Sequence, residues 1–589
     1  MLKYNLSTLI KGLLIVLLFN TSAYSLLIEK KLQELNNTKY WKTLLHIKNN
    51  ESQIDSKNFF ISKNGKYNSY KELQATINTL EYPKFKDDNS TYCRFPARRN
   101  WLITQLPNLN IKKQNCYLLN KELSELGDIN TVTLVFPTTH LNSPASMFGH
   151  TLLRLDNNVS SITSHAINYA AFTDESNGFV YAWKGLTGGY IGKYSIVPYY
   201  KKIKEYGDVK NRDIWEYELN LDKKEIKKLI LHLYEIKKTW SYYYYFNRNC
   251  SYEILWLLES AREKLELTKK FNYKTLPIET IKEISNENLI NKSVFRASKM
   301  QIIISTFDKI KNKDLALEFQ EKIDFDVLNS ISKNQKIYII DFSILMLQYN
   351  KIKNNITKDY LKNYLKLLKL RSKLGNGKEI NIKKPINPIK GHKVNKASIY
   401  VNSNDSINIH VKPSLHAFND INYAYLQGAY IDFFKLNIRI DKEKASLEDF
   451  SVFDIESLSK RTRLFKPYSW KIDIGVQKIF NDELYFKSKI GVGLTYGSKN
   501  YLYYILATAN YYAKKHKNYI SYGPQIGFEY NFENLKLGIK ASHEIFKHER
   551  YNNTDSFIVY SLSDNFTLEL GYKNKYKNNF KYLGLNYFF

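Results

Sequence analysis

The last third of the chain alternates between apolar and polar residues with a period of two. The pattern is clearest at residues 470–477 (WKIDIGVQ), 490–495 (IGVGLT) and 535–540 (LKLGIK), and it continues to the terminal LGLNYFF. Successive side chains of a β-strand point to opposite faces, so this alternation predicts strands with one apolar face. Short polar turns separate the runs, and residues 396–589 accommodate roughly ten to twelve such strands.

Two β architectures alternate in this way. A soluble β-sandwich buries its apolar face in a core, whereas a transmembrane β-barrel turns that face to lipid and carries aromatic residues at both interfaces. Here tyrosines crowd the strand ends, and the last strand ends in Phe589. Because bacterial outer-membrane barrels typically end in this way, the pattern favours an antiparallel transmembrane barrel in the outer membrane.

The N-terminus predicts export. Lys3 and Lys11 precede an apolar run at residues 13–19, and residues 23–25 (AYS) place small residues where a signal peptidase reads. This is the pattern of a secretory signal peptide, with cleavage expected after Ser25. An uncleaved anchor is the alternative, but the run is short for a membrane span. No cysteine follows the cleavage site, so we do not expect a lipoprotein, and no later apolar stretch predicts a transmembrane helix.

Length and charge restrict the number of domains and the class of binding partner. A chain of 589 residues predicts two or three domains. The formal net charge of +31 suits an anionic partner such as lipid headgroups. The basic residues are scattered as Lys among Asn and Ile, and no base-reading cluster accompanies them, so we expect no nucleic-acid partner.

The chain has three cysteines, an odd number for an exported protein. Cys93 and Cys116 lie 23 positions apart in one segment and are natural disulfide partners in an oxidising compartment. Closing a loop of that size contributes about 3 kcal/mol by the chain-entropy argument. Cys250 then stands outside the pair, either as a buried inert thiol or as a thiol kept for chemistry.

Cys250 has the surroundings that a reactive thiol needs. The pattern after it predicts a helix over residues 251–265, whose dipole would stabilise a thiolate at its start. His150, on a predicted strand over residues 147–155, is the candidate base, and backbone N–H groups beside Asn249 are the candidate oxyanion donors. The alternative is that Cys250 is a small core residue and His150 a strand histidine without a chemical role. The spacing of His140, His150 and His165 matches no metal-ligand pattern, and we expect no cofactor.

Five motifs carry a family resemblance: NSPASMFGHTLLR, HAINYAA, KGLTGGYIGKYSIVPYY, RDIWEYELNL and NRNCSYEILWLLE. In this order they resemble the Lnb N-terminal periplasmic domain family over residues 58–277. The resemblance implies a Cys–His site linked to lipoprotein N-acyl transfer. The order of the two residues also resembles the circularly permuted papain-like superfamily, which includes NlpC-type peptidases and lecithin–retinol acyltransferase. Cys250 then matches the nucleophile, His150 the base, and His165 or Asn168 the orienting residue.

These observations predict a signal peptide (1–25), a helical, disulfide-stapled lobe (26–130) and an α+β permuted papain-like Cys/His domain (131–297). A helical connector (298–395) and an antiparallel transmembrane β-barrel (396–589) follow. The leading hypothesis for the function is a thiol acyltransferase acting on membrane lipid or lipoprotein at the periplasmic face of the outer membrane. The alternatives are a cysteine hydrolase of peptidoglycan and a non-enzymatic outer-membrane protein. An aromatic run at residues 242–246 suits an acyl substrate, although such runs more often lie in cores. The sequence does not identify a protein partner.

Overall fold

We describe the fold from a computed structural model. It describes residues 29–141, 147–157, 163–173, 175, 178–353, 358–413, 415–442, 444–479, 483–546, 549–576 and 578–589. The predicted signal peptide lies outside the described residues. The chain forms two compact units: the first comprises the described residues up to 135, with 151–202 and 216–294, and the second comprises 136–150, 203–215 and 295–589. Among the described residues, no helix has both the length and the apolar character needed to cross a membrane.

The first unit is α+β, as predicted. Its helices are α1 (Lys39–Leu44), α2 (Ser69–Glu81), α3 (Thr91–Arg94), α4 (Pro96–Gln105), α5 (Tyr117–Leu126), α6 (Gly178–Thr187), α7 (Tyr199–Ile203), α8 (Lys223–Ile236), α9 (Cys250–Ala261) and α10 (Pro277–Asn286). Its strands are β1 (Ile47–Lys48), β2 (Glu51–Ser52), β3 (Thr131–Pro137), β4 (Leu152–Asp156), β5 (His165–Phe172), β6 (Tyr190–Pro198), β7 (Ile214–Leu219), β8 (Ser241–Tyr243) and β9 (Ile290–Arg296). Strands β3 to β9 form one sheet in the order β8-β6-β5-β4-β3-β7-β9.

Helix α9 is the centre of the first unit. All twelve of its residues are buried, and it packs against α8 and against strands β4 and β5. A helix that is apolar on every side requires such complete coverage. The sequence CSYEILWLLESA supplies apolar residues around the whole circumference, so the helix that begins at Cys250 is a core element.

The N-terminal lobe contains the predicted disulfide. Cys93 and Cys116 are bonded to each other, which confirms that prediction. The segment FFISKNGKYNSYKEL, which has a strand-like pattern, instead forms a 3-10 turn and the start of α2. The cause is Glu72, whose carboxylate accepts hydrogen bonds from the backbone N–H groups of Ile61 and Ser62 at 2.9 and 2.8 Å. Those N–H groups are therefore not available to a sheet.

The second unit contains the helices that follow the sheet. They are α11 (Lys299–Asp308), α12 (Lys313–Lys322), α13 (Lys333–Ile352) and α14 (Tyr360–Lys373). Their buried core includes Phe307, Phe319 and Phe342, and Leu464 and Phe465 from a loop of the C-terminal sheet pack against it. The Lys-rich helices are thus fixed to the sheet that follows them by apolar contacts.

The C-terminal sheet is a closed, antiparallel, twelve-stranded barrel. Its strands are β10 (Asn395–Asn402), β11 (Ser406–Pro413), β12 (Ala429–Asp441), β13 (Lys444–Ser457), β14 (Ser469–Ile479), β15 (Glu483–Gly497), β16 (Tyr501–Lys514), β17 (Lys517–Asn531), β18 (Leu535–Ile545), β19 (Arg550–Ser563), β20 (Phe566–Lys575) and β21 (Asn578–Phe588). Strand β21 pairs with β10 and closes the sheet, with Asn586 opposite Ser398. Closure satisfies every strand edge, as membrane spanning requires.

The barrel has an apolar outer face and a polar inner face. Ile490 and Val492 of β15 are more than half exposed, whereas polar residues on the opposite face of the sheet, such as Lys487 of β15, Glu529 of β17 and Lys536 of β18, are buried in the lumen. Lys487 bridges Asp449 and Asp473 at 2.8 and 2.7 Å. Charged residues are therefore buried inside the closed sheet while apolar residues face outward, which is the reverse of a soluble sandwich, so the prediction of a transmembrane barrel is confirmed.

Candidate active site

Helix α9 begins at Cys250 because Asn249 caps it. The Asn249 Oδ1 accepts hydrogen bonds from the backbone N–H groups of Ser251 and Tyr252 at 3.0 and 3.2 Å. A capped helix start places the thiol at the positive end of the helix dipole, which favours the thiolate. Cys250 is 4% exposed and lies outside the disulfide.

Asn249 also uses its amide nitrogen. The Asn249 Nδ2 donates to the backbone carbonyls of Tyr245 and Thr275 at 2.8 and 2.7 Å. An amide nitrogen has two hydrogens, and both are engaged in these contacts. The side chain of Asn249 therefore fixes the start of α9. The predicted role of Asn249 beside a substrate oxyanion stays a prediction.

A side-chain hydrogen bond joins the first turn of α9 to the start of β4. Thr151 Oγ1 lies 3.0 Å from Ser251 Oγ, and both residues are buried. Ser251 Oγ also lies 3.8 Å from the Cys250 Sγ. Thr151 and Ser251 each directly follow a predicted catalytic residue, His150 and Cys250 respectively.

His150 does not lie on a strand. Strand β4 begins at Leu152, and His150 is held just before it by a hydrogen bond from its backbone N–H to the Pro137 carbonyl at 3.2 Å. Gly149 turns the chain here with φ +85°, and a Cβ at Gly149 would meet the Phe136 ring at 2.6 Å. This turn is the reason that the predicted strand starts late. The imidazole of His150 stacks on Tyr206, with ring centroids 5.5 Å apart.

The segment that carries His150 contacts the barrel within the second unit. Phe148 stacks on Phe433 of β12, with ring centroids 5.1 Å apart. Ser457 of β13 donates to the Leu141 carbonyl at 2.6 Å. These contacts involve residues two and nine positions before His150 in sequence, so the barrel contributes to holding this segment. Residues 142–146, including Ser146, lie outside the described part.

His165 and Asn168 lie on opposite faces of β5. Asn168 pairs with Ser195 of β6, and Tyr169 pairs with Tyr194, so alternation places His165 on the Tyr169 face. The Tyr194 hydroxyl donates to Glu253 of α9 at 3.1 Å, which identifies the Tyr169 face as the one towards α9. Of the two alternatives for the orienting residue, His165 is the one on that face.

The aromatic run at residues 242–246 is mainly structural. Gly185 of α6 and Gly188, which follows this helix, lie directly against the rings of Tyr245 and Tyr244 respectively. The Tyr245 backbone N–H donates to the Gly185 carbonyl at 2.9 Å. Tyr242 is the exception, at 45% exposed. It lies in a cross-strand row with Ile191 and Phe172, and Phe172 is also exposed.

Sequence reasoning missed a buried carboxyl group one turn after Cys250. Glu253 is 1% exposed, accepts from Tyr194, and lies 3.7 Å from His46 Nδ1. Burial raises the pKa of Glu253 to about 7. Burial also lowers the pKa of His46 well below its usual value, and the neighbouring His232 lowers it further. Glu253 is one of two acidic residues in a helix of mainly apolar residues, and this was the available sequence signal.

The contacts continue from Glu253 into the N-terminal lobe. His46 stacks on Trp256, and its Nε2 lies 3.0 Å from the His232 Nε2. His232 in turn faces Glu235 at 3.4 Å, and Glu235 accepts from the backbone of Ala97 and Arg98 at 2.7 and 2.9 Å. A buried polar network of this kind fixes one arrangement of its elements, because breaking any link strands a buried partner. Helix α9 is therefore tied to the N-terminal lobe.

Among the described residues, one group has the spacing of a metal site: His392, His416 and Asp420 in the second unit. However, the Asp420 carboxylate already accepts from Lys396 and Lys412 at 2.8 and 2.7 Å, and from the Ala417 N–H at 2.8 Å. Two ammonium groups on the same carboxylate oppose a cation there. We therefore assign this group to ion pairing.

The fold and the site define a class of protein. It is an outer-membrane β-barrel protein whose N-terminal α+β unit presents a buried cysteine at the start of a capped helix. Residues 121–287 match the Lnb N-terminal periplasmic domain, so the chain joins a domain of that family to a barrel, as the motifs predict. Residues 33–105 and 385–588 match two domains of unknown function, DUF7843 and DUF7840. The protein thus belongs to the outer membrane, with its Lnb domain in the periplasm.

Comparison with other proteins adds solved structures of barrels. A KdgM porin is 8% identical and covers 33% of this chain and 98% of its own, with a TM-score of 0.23. A NanC porin is 8% identical. The match covers 33% of this chain and 100% of the porin, with a TM-score of 0.24. Salmonella typhi OmpF in complex with daunomycin is 11% identical. The match covers 31% of this chain and 61% of OmpF, with a TM-score of 0.16. No curated protein sequence matches the chain. These likenesses are too low to support any inference about function.

Proposed function

We propose that the protein is a thiol acyltransferase in which Cys250 attacks an acyl group of a lipid or lipoprotein at the periplasmic face of the outer membrane. The observation that carries the proposal is the position of Cys250 as the first residue of a capped helix in an Lnb domain. A thiol at this position is favoured as a thiolate and therefore as a nucleophile. The barrel supports the choice of substrate, because it holds the chain in a lipid bilayer.

In the proposed reaction His150 takes the proton of the Cys250 thiol. The thiolate attacks the carbonyl carbon of the acyl ester in the lipid. The tetrahedral intermediate then expels the alcohol part of that ester, which takes the proton back from His150. The acyl group then stays on Cys250 as a thioester. An amine of the acceptor attacks the thioester and releases the thiol, again through His150. His165, on the α9 face of β5, is the candidate orienting residue, with Asn168 as the alternative.

The exposed row formed by Phe172, Ile191 and Tyr242 supports an apolar substrate. Phe172 is 68% exposed, and the Lys193 ammonium lies 5.0 Å from the centre of its ring. Aromatic rings beside a lysine suit the boundary between acyl chains and anionic headgroups.

Mass spectrometry of the intact full-length protein tests the proposal. The wild type, reconstituted in phosphatidylethanolamine–phosphatidylglycerol vesicles, is expected to gain the mass of one acyl group, and hydroxylamine is expected to remove it. Cys250→Ala should gain none. His150→Ala should acylate about 10²–10⁴-fold more slowly, the usual contribution of a general base. His516→Ala, which removes an exposed barrel histidine, is the matched control and should behave as the wild type.

Three results contradict the proposal. Acylation that persists in Cys250→Ala excludes this residue as the nucleophile. Release of muropeptides from peptidoglycan by the wild type but not by Cys250→Ala, without lipid acylation, assigns the hydrolase alternative. Absence of both activities under conditions in which iodoacetamide modifies Cys250 leaves a non-enzymatic outer-membrane protein.

A further inference from the structure

The loop between β11 and β12 contacts eight of the twelve strands of the barrel. We define the plug as residues 415–428 of this loop. Its side chains and backbone meet inward-facing residues of eight strands: Lys396 (β10), Lys412 (β11), Tyr430 (β12), Tyr504 (β16), Glu529 (β17), Lys536 (β18), Phe557 (β19) and Glu569 (β20). Strands β10 and β16 are six apart in a closed ring of twelve, so they lie on opposite walls. A segment that touches both walls crosses the lumen.

An aromatic residue forms the centre of the plug. Phe418 is 6% exposed, and its ring lies against Tyr430, Tyr504 and Phe557 at centroid distances of 5.3, 6.3 and 5.7 Å. The Lys540 ammonium sits 4.0 Å from the centre of the same ring. An apolar ring in a charged lumen is stable only where it is packed on all sides, as Phe418 is.

Charged contacts hold the plug to the wall. Asp420, which is 1% exposed, pairs with Lys396 and Lys412. Asn419 donates to both carboxylate oxygens of Glu569 at 3.0 Å, and Asn422 donates to Glu529 at 2.9 Å. Removing one partner of a buried ion pair is costly because it strands the other charge, so these contacts oppose withdrawal of the plug.

The plug is also attached to the segment that precedes β10. Tyr425 stacks on the imidazoles of both His392 and His416, at centroid distances of 4.4 and 4.6 Å. The His392 and His416 rings also approach each other, with their nitrogens 3.2 Å apart. Most of the wall residues of the plug lie near the ends of strands on the side where β10 begins. The plug therefore occupies the end of the barrel at which the chain enters it.

We propose that residues 415–428 close the barrel at this end, so that the barrel serves as a membrane anchor and not as a diffusion pore. Beyond the plug the lumen holds a cavity of about 840 Å³ lined by charged residues, among them Lys435, Asp454 and Lys489. The proposal is independent of any chemistry at Cys250.

Planar-bilayer recording of the full-length protein tests the proposal. The wild type is expected to show no discrete conductance steps. A variant in which residues 416–424 are replaced by a Gly-Ser stretch of equal length should gain them, because it removes Phe418, Asn419, Asp420 and Asn422, whose side chains make the wall contacts described above. The double substitution Phe418→Ala and Asp420→Ala should gain intermittent steps. Tyr423→Ala, which removes an aromatic ring that is 43% exposed, is the matched control and should stay silent.

Heat-modifiable electrophoretic mobility shows which variants retain the folded barrel. If the Gly-Ser variant does not fold, the recordings of the Phe418→Ala and Asp420→Ala double variant test the proposal instead. Steady conductance by the wild type overturns the proposal. Silence of a folded variant that lacks the plug contacts also overturns it, because another element would then close the lumen.

Discussion

Replacing Asn249 with Ala tests whether the cap of α9 keeps Cys250 buried. The substitution removes two hydrogen bonds to the helix N–H groups, a loss of about 1 kcal/mol for an N-cap. It also strands the carbonyls of Tyr245 and Thr275, which costs about 1–3 kcal/mol. The local opening of α9 should therefore become easier by about 3 kcal/mol, which corresponds to roughly a hundredfold.

Native-state alkylation measures this opening directly. Cys93 and Cys116 are joined in the disulfide, so iodoacetamide reports on Cys250, which is almost fully buried and reacts when α9 opens. When closing is faster than alkylation, the rate follows the opening equilibrium. Asn249→Ala should then react roughly a hundred times faster than the wild type at the same pH.

A second cap in the same unit provides the control. Asp222 caps α8 through a hydrogen bond from the Glu225 backbone N–H at 2.8 Å, in an exposed capping box. Asp222→Ala removes a similar cap from another helix and should leave the alkylation of Cys250 nearly unchanged. An unchanged rate in Asn249→Ala, or an equal increase in Asp222→Ala, would refute the reasoning, since the exposure of Cys250 would then not depend on the α9 cap.

Two further predictions concern the stability of the first unit. Replacing Cys93 and Cys116 with Ser should lower the free energy of unfolding by about 3 kcal/mol, measured by urea titration of tryptophan fluorescence, and dithiothreitol should shift the wild type but not the variant. Because burial raises the pKa of Glu253 from 4.5 to about 7, its contribution to stability is complete below pH 4.5, declines as the pH rises towards 7, and is lost above it. Glu253→Gln should remove this decline of up to about 3 kcal/mol, and equal pH slopes in the two proteins would contradict it.

The barrel and the helix at Cys250 were predictable because their signals are local. Period-two alternation requires only that lipid lie on one side of each strand and the lumen on the other. The start of α9 follows from Asn249, a residue that favours the N-cap position. The late start of β4 was not predictable in the same way, since it depends on the positive φ of Gly149 and on the ring of Phe136 beside it.

The network around Glu253 and the plug depend on contacts between distant parts of the chain. His46, His232 and Glu253 lie far apart in sequence, and each reads alone as an ordinary polar residue in a helix or turn. Asp420 and Phe418 likewise lie in a polar loop with no motif, and only the closed barrel gives them partners on opposite walls. Neither arrangement has a sequence period, so pattern analysis does not detect it.

The contact between Phe148 and Phe433 bears on when, during assembly, the segment around His150 gains its support from the barrel. Phe433 belongs to β12, and Ser457, which binds the Leu141 carbonyl, belongs to β13. These two contacts form only after the barrel has folded. During its passage through the periplasm the chain lacks them, and the segment that carries His150 gains its support at the moment of membrane assembly. Biogenesis of the barrel thus sets the earliest point at which this segment is complete.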